Sequence, residues 1–89
     1  MSHDRAIRDA LAAHLTQWGL KRTRQRERIL EVLLVSGVHL TMEQITARVR
    51  DEHPGIGQAT VYRAVKLFEQ AGILHRHALS GALPHYELA

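Results

Sequence analysis

The stretch ATVYRAVKLFEQAG, residues 59–72, decides the fold, because its side chains divide into two opposite faces when it is wound as an α-helix. One face is apolar and comprises Val61, Ala64, Val65 and Phe68. The other face is polar and carries Tyr62, Arg63, Lys66 and Gln70. The apolar face predicts packing on a core. The polar face offers groups that can hydrogen-bond base edges and phosphates in a DNA major groove.

Three further helices are predicted before this stretch. The first runs from about Arg5 to Trp18, because Ile7, Leu11, Leu15 and Trp18 recur at helical spacing and Gly19 is a natural stop. Within it, Trp18 is expected to be a packing anchor.

The second and third helices are predicted from their caps. Thr23 caps the second, which ends near Ser36 and Gly37. Thr41 caps the third, with Gln44 placed to complete a capping box, and the sequence HPG at 53–55 ends it.

After Gly72, which closes the fourth helix, the apolar period changes toward two. Residues 73–79 and 83–88 then predict a β-hairpin around a short turn at 80–82, and Pro84 marks the last strand as an edge. The order predicts a mainly α winged helix-turn-helix, with four helices followed by a two-stranded antiparallel wing, as a single DNA-binding domain over residues 1–89. In such readers the second helix of the pair enters the major groove, and here that is the helix with TVYR.

Charge is concentrated in one segment of the 89 residues. The chain carries a net charge of +3, yet KRTRQRER at 21–28 alone carries +4, which suggests a polyanion such as nucleic acid as the partner. The alternative is a solvated, arginine-rich helix start.

Cysteine is absent, so disulfides and thiolate metal sites are excluded within these residues. Neither a membrane-spanning run nor a signal-peptide core is present, which predicts a cytoplasmic protein without a membrane partner. No catalytic motif is found, so we expect no enzyme activity.

Four segments together resemble the N-terminal DNA-binding domain of the ferric uptake regulator family of bacterial metal-responsive repressors. They are GLKRTRQRERILEVL at 19–33, HLTMEQI at 39–45, IGQATVYRAVKLFEQAGILHRH at 56–77 and HYEL at 85–88. The resemblance implies that Lys21 enters the minor groove, that Tyr62 and Arg63 contact bases, and that Thr60 and Arg26 contact phosphates. Neighbouring cations extend this predicted DNA-binding set to Arg22, Arg24 and Lys66.

The resemblance also implies a regulatory metal site between two domains. His39 and Glu87 match the two ligands that the DNA-binding half provides, although each could instead be an ordinary surface residue. The other ligands would come from a C-terminal dimerisation domain, which is absent here, so we expect no metal on this chain alone. Fe2+, Zn2+ or Mn2+ would bind the full-length protein. His75 and His77, two apart on a strand, could also bind a metal, but no third ligand is evident.

The implied function is sequence-specific binding of double-stranded DNA, at a palindromic operator, by a homodimeric and most simply iron-responsive repressor. Two alternatives remain open at this point. The chain could belong to a zinc, manganese or peroxide sensor of the same family. It could also be a winged helix that binds another protein, with Tyr62 and Leu67 as the surface anchor.

Overall fold

The computed structural model describes residues 2–36 and 39–89. Four helices precede one hairpin, as predicted. Their bounds are α1 at Ser2–Gln17, α2 at Arg24–Ser36, α3 at Met42–Glu52, α4 at Gln58–Gln70, β1 at Leu74–His77 and β2 at His85–Leu88. The winged helix-turn-helix architecture is therefore confirmed.

The core is a single cluster built around α4. Val61, Val65 and Phe68 have no exposed surface, and Ala64 is also buried, so the predicted apolar face is confirmed. Helix α4 packs against α2, α3 and β1. Side chains of all four helices and both strands join the cluster, including Ile7 and Leu11 of α1. The opposite face of α4 is thereby fixed toward solvent.

Helix α1 differs from its prediction at both ends. It begins three residues earlier than expected, at Ser2, and its last residue is Gln17 rather than Trp18. Gly19 then adopts the left-handed conformation, with φ of 64°, and the Leu20 amide donates to the Leu15 carbonyl at 2.8 Å. Because the chain turns away there, Trp18 leaves the buried stripe and is 64% exposed. The prediction of a packing anchor at Trp18 was wrong.

The caps of α2 and α3 follow the sequence closely. The Arg26 amide donates to the Thr23 hydroxyl at 3.1 Å, which confirms the cap of α2. At α3, the Gln44 amide donates to the Thr41 hydroxyl at 3.1 Å and the Thr41 amide donates to the Gln44 side chain at 2.9 Å, so the capping box is complete. Ser36 is the last described residue of α2, and the predicted boundary residue Gly37 lies outside the described residues.

The wing is antiparallel but its strands are shorter than predicted. Leu74 pairs with Leu88 and His77 with His85, which leaves seven residues, 78–84, in the connection instead of three. Pro84 has no amide hydrogen to continue the ladder, so the pairing stops beside it. The outer side of β2 is also not a bare edge. Leu40 and Tyr86 exchange two backbone hydrogen bonds of 3.1 and 2.7 Å, which ties the segment before α3 to the wing.

Candidate nucleic-acid interface

The exposed face of α4 presents the polar residues that the sequence predicted. Tyr62 is 42% exposed, and Arg63 and Lys66 are exposed beside it. The Arg63 guanidinium donates to the Thr60 hydroxyl at 3.3 Å, one turn nearer the start of the helix. Gly57, the N-cap, has no side chain to accept from the first turn. The start of α4 therefore offers backbone donors and two polar side chains on one surface, a combination suited to phosphate.

The basic segment between α1 and α2 contains cations in two different situations. Lys21 and Arg24 are exposed and form no side-chain hydrogen bond or ion pair within residues 2–36 and 39–89. Arg22 pairs with Glu27 at 3.0 Å, and the Arg26 guanidinium donates to the backbone carbonyl of Lys21. The count of positive charge in the sequence therefore overstates the cations that are available to a ligand.

These two regions meet in one groove. Thr23, Gln25 and Arg26 line it from the start of α2, and Thr60, Arg63 and Ala64 line it from α4. Arg26, which was predicted to contact phosphate, thus lies beside Arg63, which was predicted to contact bases. On the other side of α4, Tyr62 borders a second hollow, which is lined by the start of α3 and by Pro84 and Tyr86 of the wing.

The two predicted metal ligands are also brought together. His39 Nε2 lies 3.2 Å from Glu87 Oε2, on the outer face of the wing beside the Leu40–Tyr86 bridge. An imidazole nitrogen and a carboxylate oxygen are donors that Fe2+, Zn2+ and Mn2+ accept, so the pair fits half of a coordination site. Among the described residues, no group of three His, Cys, Asp or Glu side chains is placed to hold a metal ion.

One contact at this half-site was not predicted from the sequence. His77 Nε2 lies 2.9 Å from Glu87 Oε1, so Glu87 is shared between His39 and His77. The predicted pair of His75 and His77 lies with ring centres 6.5 Å apart. The hairpin register places His75 directly opposite Glu87 and His77 two pairs further along, and only that register could have indicated the contact.

The structure adds one general exclusion. In residues 2–36 and 39–89, no helix has the length and apolar character that crossing a membrane requires.

Comparison with known proteins identifies close relatives. The model of the "Ferric uptake regulator family" matches residues 17–89. A ferric uptake regulation protein of Synechocystis sp. is 42% identical over 82 residues, which cover 90% of this chain and 50% of that protein. The crystal structure of the Vibrio cholerae ferric uptake regulator, described as revealing a rearrangement of its DNA-binding domains, is 39% identical and covers 84% of this chain and 58% of its own, with a TM-score of 0.70. The Helicobacter pylori ferric uptake regulator, described as having three functional metal binding sites, gives a TM-score of 0.82 at 30% identity and covers 97% of this chain and 57% of its own. The chain therefore spans about half the length of such relatives.

Proposed function

The chain belongs to the ferric uptake regulator family, and from this premise we propose that it is the DNA-binding half of a metal-responsive transcriptional repressor. Members of this family are transcriptional regulators rather than enzymes. The observation that carries the proposal is the groove that Arg26 of α2 lines together with Thr60 and Arg63 of α4. The partner would be double-stranded DNA in the cytoplasm, and residues 1–89 would form one winged-helix domain.

The contacts divide into two kinds. Tyr62 and Arg63 would reach base edges in the major groove, because they lie on the exposed face of α4 near its start. Phosphate and minor-groove contacts would come from Lys21, Arg24, Thr60 and Lys66. Arg22 and Arg26 would join them only by exchanging their internal partners, Glu27 and the Lys21 carbonyl, for DNA. Phosphate contacts give affinity and register, whereas base contacts give sequence discrimination.

The first experiment separates these two kinds of contact. Wild-type chain would be used to select duplexes from a random-sequence pool, and Arg63→Ala would then be tested on the selected duplex and on single-base variants. Loss of a bidentate base contact should cost about 1–3 kcal/mol and relax preference at one position. If Arg63→Ala retained the full preference, the assignment of α4 to the major groove would be wrong.

A salt titration tests the protein-binding alternative and also counts the cations. Each cation that displaces a counterion adds about −0.9 to the slope of log K against log salt. Two of the six proposed cations have partners at the basic segment, Arg22 with Glu27 and Arg26 with the Lys21 carbonyl. With both partners kept on DNA, the other four cations act, and we expect a slope of about −3.5. A slope near zero would favour a winged helix that binds protein, whereas a slope of about −5.5 would show that all six cations act.

His39 and Glu87 would contribute two ligands to a metal site completed by residues of a further, dimerising domain. Support comes from their converging donor atoms, 3.2 Å apart. The bound ion, most simply Fe2+ with Zn2+ or Mn2+ as the alternatives, would hold the two DNA-binding halves of a homodimer in the spacing of a palindromic operator. In a longer protein that contains such a domain, His39→Ala should remove metal-dependent affinity for the operator and leave metal-independent binding to random duplex in place. Equal metal dependence in the variant would contradict the assignment.

A further inference from the structure

Hydrogen bonds hold both ends of the segment 20–23, which contains Lys21. At its start, Gly19 takes the left-handed conformation and the Leu20 amide donates to the Leu15 carbonyl. At its end, the Thr23 hydroxyl caps α2. Lys21 and Arg22 lie between these anchors and belong to no helix or strand. Their orientation is therefore not set by secondary structure.

One side chain reaches the middle of this segment. The Arg26 guanidinium donates through Nη1 to the Lys21 carbonyl, five residues earlier in the chain. Arg26 lies in the first turn of α2, where its backbone amide donates to the Thr23 hydroxyl, and the residue is half-buried at the edge of the groove. In the described residues, no other side chain donates a hydrogen bond to Leu20, Lys21 or Arg22.

We propose that Arg26 is a positioning residue for Lys21, acting on DNA affinity through the carbonyl of Lys21 and not as an independent phosphate contact. The inference rests on the proposed DNA-binding function and specifies how one part of that surface is built. An arginine suits this role, because its planar group can hold a carbonyl in a fixed direction and stays charged at any physiological pH.

The consequence for binding is an entropic one. Fixing the backbone of one residue costs about 1–2 kcal/mol in lost freedom, and in the native chain that cost falls on folding. Without the Arg26 contact, Lys21 would have to be ordered when DNA binds, so the affinity would fall by about fivefold or more. This loss of affinity should occur only in variants that retain Lys21 as a DNA contact.

The test is a double-mutant cycle with Arg26→Gln and Lys21→Ala. Affinity would be measured by fluorescence anisotropy on a duplex of about 20 base pairs with a central A-tract, whose narrow minor groove favours lysine. Lys21→Ala should weaken binding on the order of five- to tenfold near 0.1 M salt and make the salt slope less steep by about 0.9. Arg26→Gln should lower the affinity by a similar factor but leave the salt slope close to that of the wild type, because Lys21 still contacts DNA once it is ordered. The double variant should bind no more weakly than Lys21→Ala.

Backbone order in the protein without DNA gives a second readout. Amide ¹⁵N relaxation should show order parameters of about 0.8 or higher for residues 20–22 in the wild type and below about 0.6 in Arg26→Gln. Arg28→Gln is the matched control, because Arg28 is an exposed residue of α2 and the change in charge is the same. It should leave the order of residues 20–22 unchanged.

Two results would overturn the proposal. Additive losses in the cycle, near fiftyfold for the double variant, would make Arg26 a separate phosphate contact. Unchanged order in Arg26→Gln would show that the turn does not depend on it. If the wild type failed to bind duplex at low salt, the proposed function would fail, and the relaxation data would still decide whether Arg26 fixes the turn.

Discussion

Replacing Glu27 by Gln should strengthen DNA binding while slightly weakening the fold. Glu27 lies 3.0 Å from Arg22, and their side chains are 44% and 73% exposed. A surface pair of this kind stabilises by about 0.2–1 kcal/mol, and the carboxylate also sits favourably in the first turn of α2. We therefore expect Glu27→Gln to lower the free energy of unfolding by about 1 kcal/mol or less.

The effect on DNA affinity has the opposite sign, for an electrostatic reason. A phosphate bound by Arg22 would lie roughly 7 Å from the Glu27 carboxylate, where repulsion in water is about 0.6 kcal/mol, or a factor of about three in affinity. Removing that carboxylate also leaves Arg22 to act as one more cation, so the salt slope should become steeper by about 0.9. The gain should consequently shrink as salt rises and screening increases.

The assay is a pair of anisotropy titrations at about 50 and 200 mM salt on random duplex, beside urea unfolding of the same samples. Glu31→Gln is the matched control, since Glu31 is exposed on α2 one turn further along and the change in net charge is the same. Weaker binding by Glu27→Gln would show that the ion pair orients Arg22 for DNA. An equal gain in both variants would show that only net charge matters, and either result would refute the reasoning.

Three further predictions concern the stability of the scaffold, measured by urea unfolding. Thr41→Ala should cost about 1 kcal/mol, because it removes the hydroxyl that accepts from the Gln44 amide, and no change would show that the cap is not needed. Trp18→Ala should change stability by less than about 0.5 kcal/mol, whereas Leu15→Ala should cost about 2–5 kcal/mol, since Trp18 is 64% exposed and Leu15 is 4% exposed. Gly72→Ala should cost about 1 kcal/mol because φ is 77°, while Gly55→Ala, with ordinary φ and open space around it, should be neutral or stabilising, and equal effects would contradict the conformational argument.

Rules of spacing and capping between neighbouring residues were sufficient to predict caps and buried faces within single helices. The cap at Thr41 and the apolar face containing Phe68 follow from spacing along one helix, and both were correct. The same rule wrongly predicted that Trp18 is buried. Trp18 fits the helical spacing of the apolar residues, but the helix ends before it and Gly19 turns the chain. Periodicity describes which face a residue would occupy in a helix and does not determine where the helix stops.

Long-range pairings were beyond such rules. Leu40 and Tyr86 are joined by backbone hydrogen bonds although 46 positions separate them in sequence. The prediction that Pro84 marks the last strand as an edge could not anticipate these hydrogen bonds. The contact of His77 with Glu87 depends equally on hairpin register. By contrast, the pairing of His39 with Glu87 was available from the family resemblance, which already contains three-dimensional information about relatives.

Charge shows most clearly what a sequence count leaves out. The segment 21–28 carries +4, but the availability of each cation depends on what its head group already contacts. The Glu27 carboxylate lies 3.0 Å from the Arg22 guanidinium and offsets its charge. Arg26 keeps its charge, because its guanidinium donates a hydrogen bond to the neutral Lys21 carbonyl. Ion pairing therefore lowers the electrostatic attraction for a polyanion, whereas the Arg26 contact leaves the charge of Arg26 in place and holds the Lys21 carbonyl. Two arginines with the same formal charge thus contribute differently to affinity, because one is paired with an anion and the other with a neutral dipole.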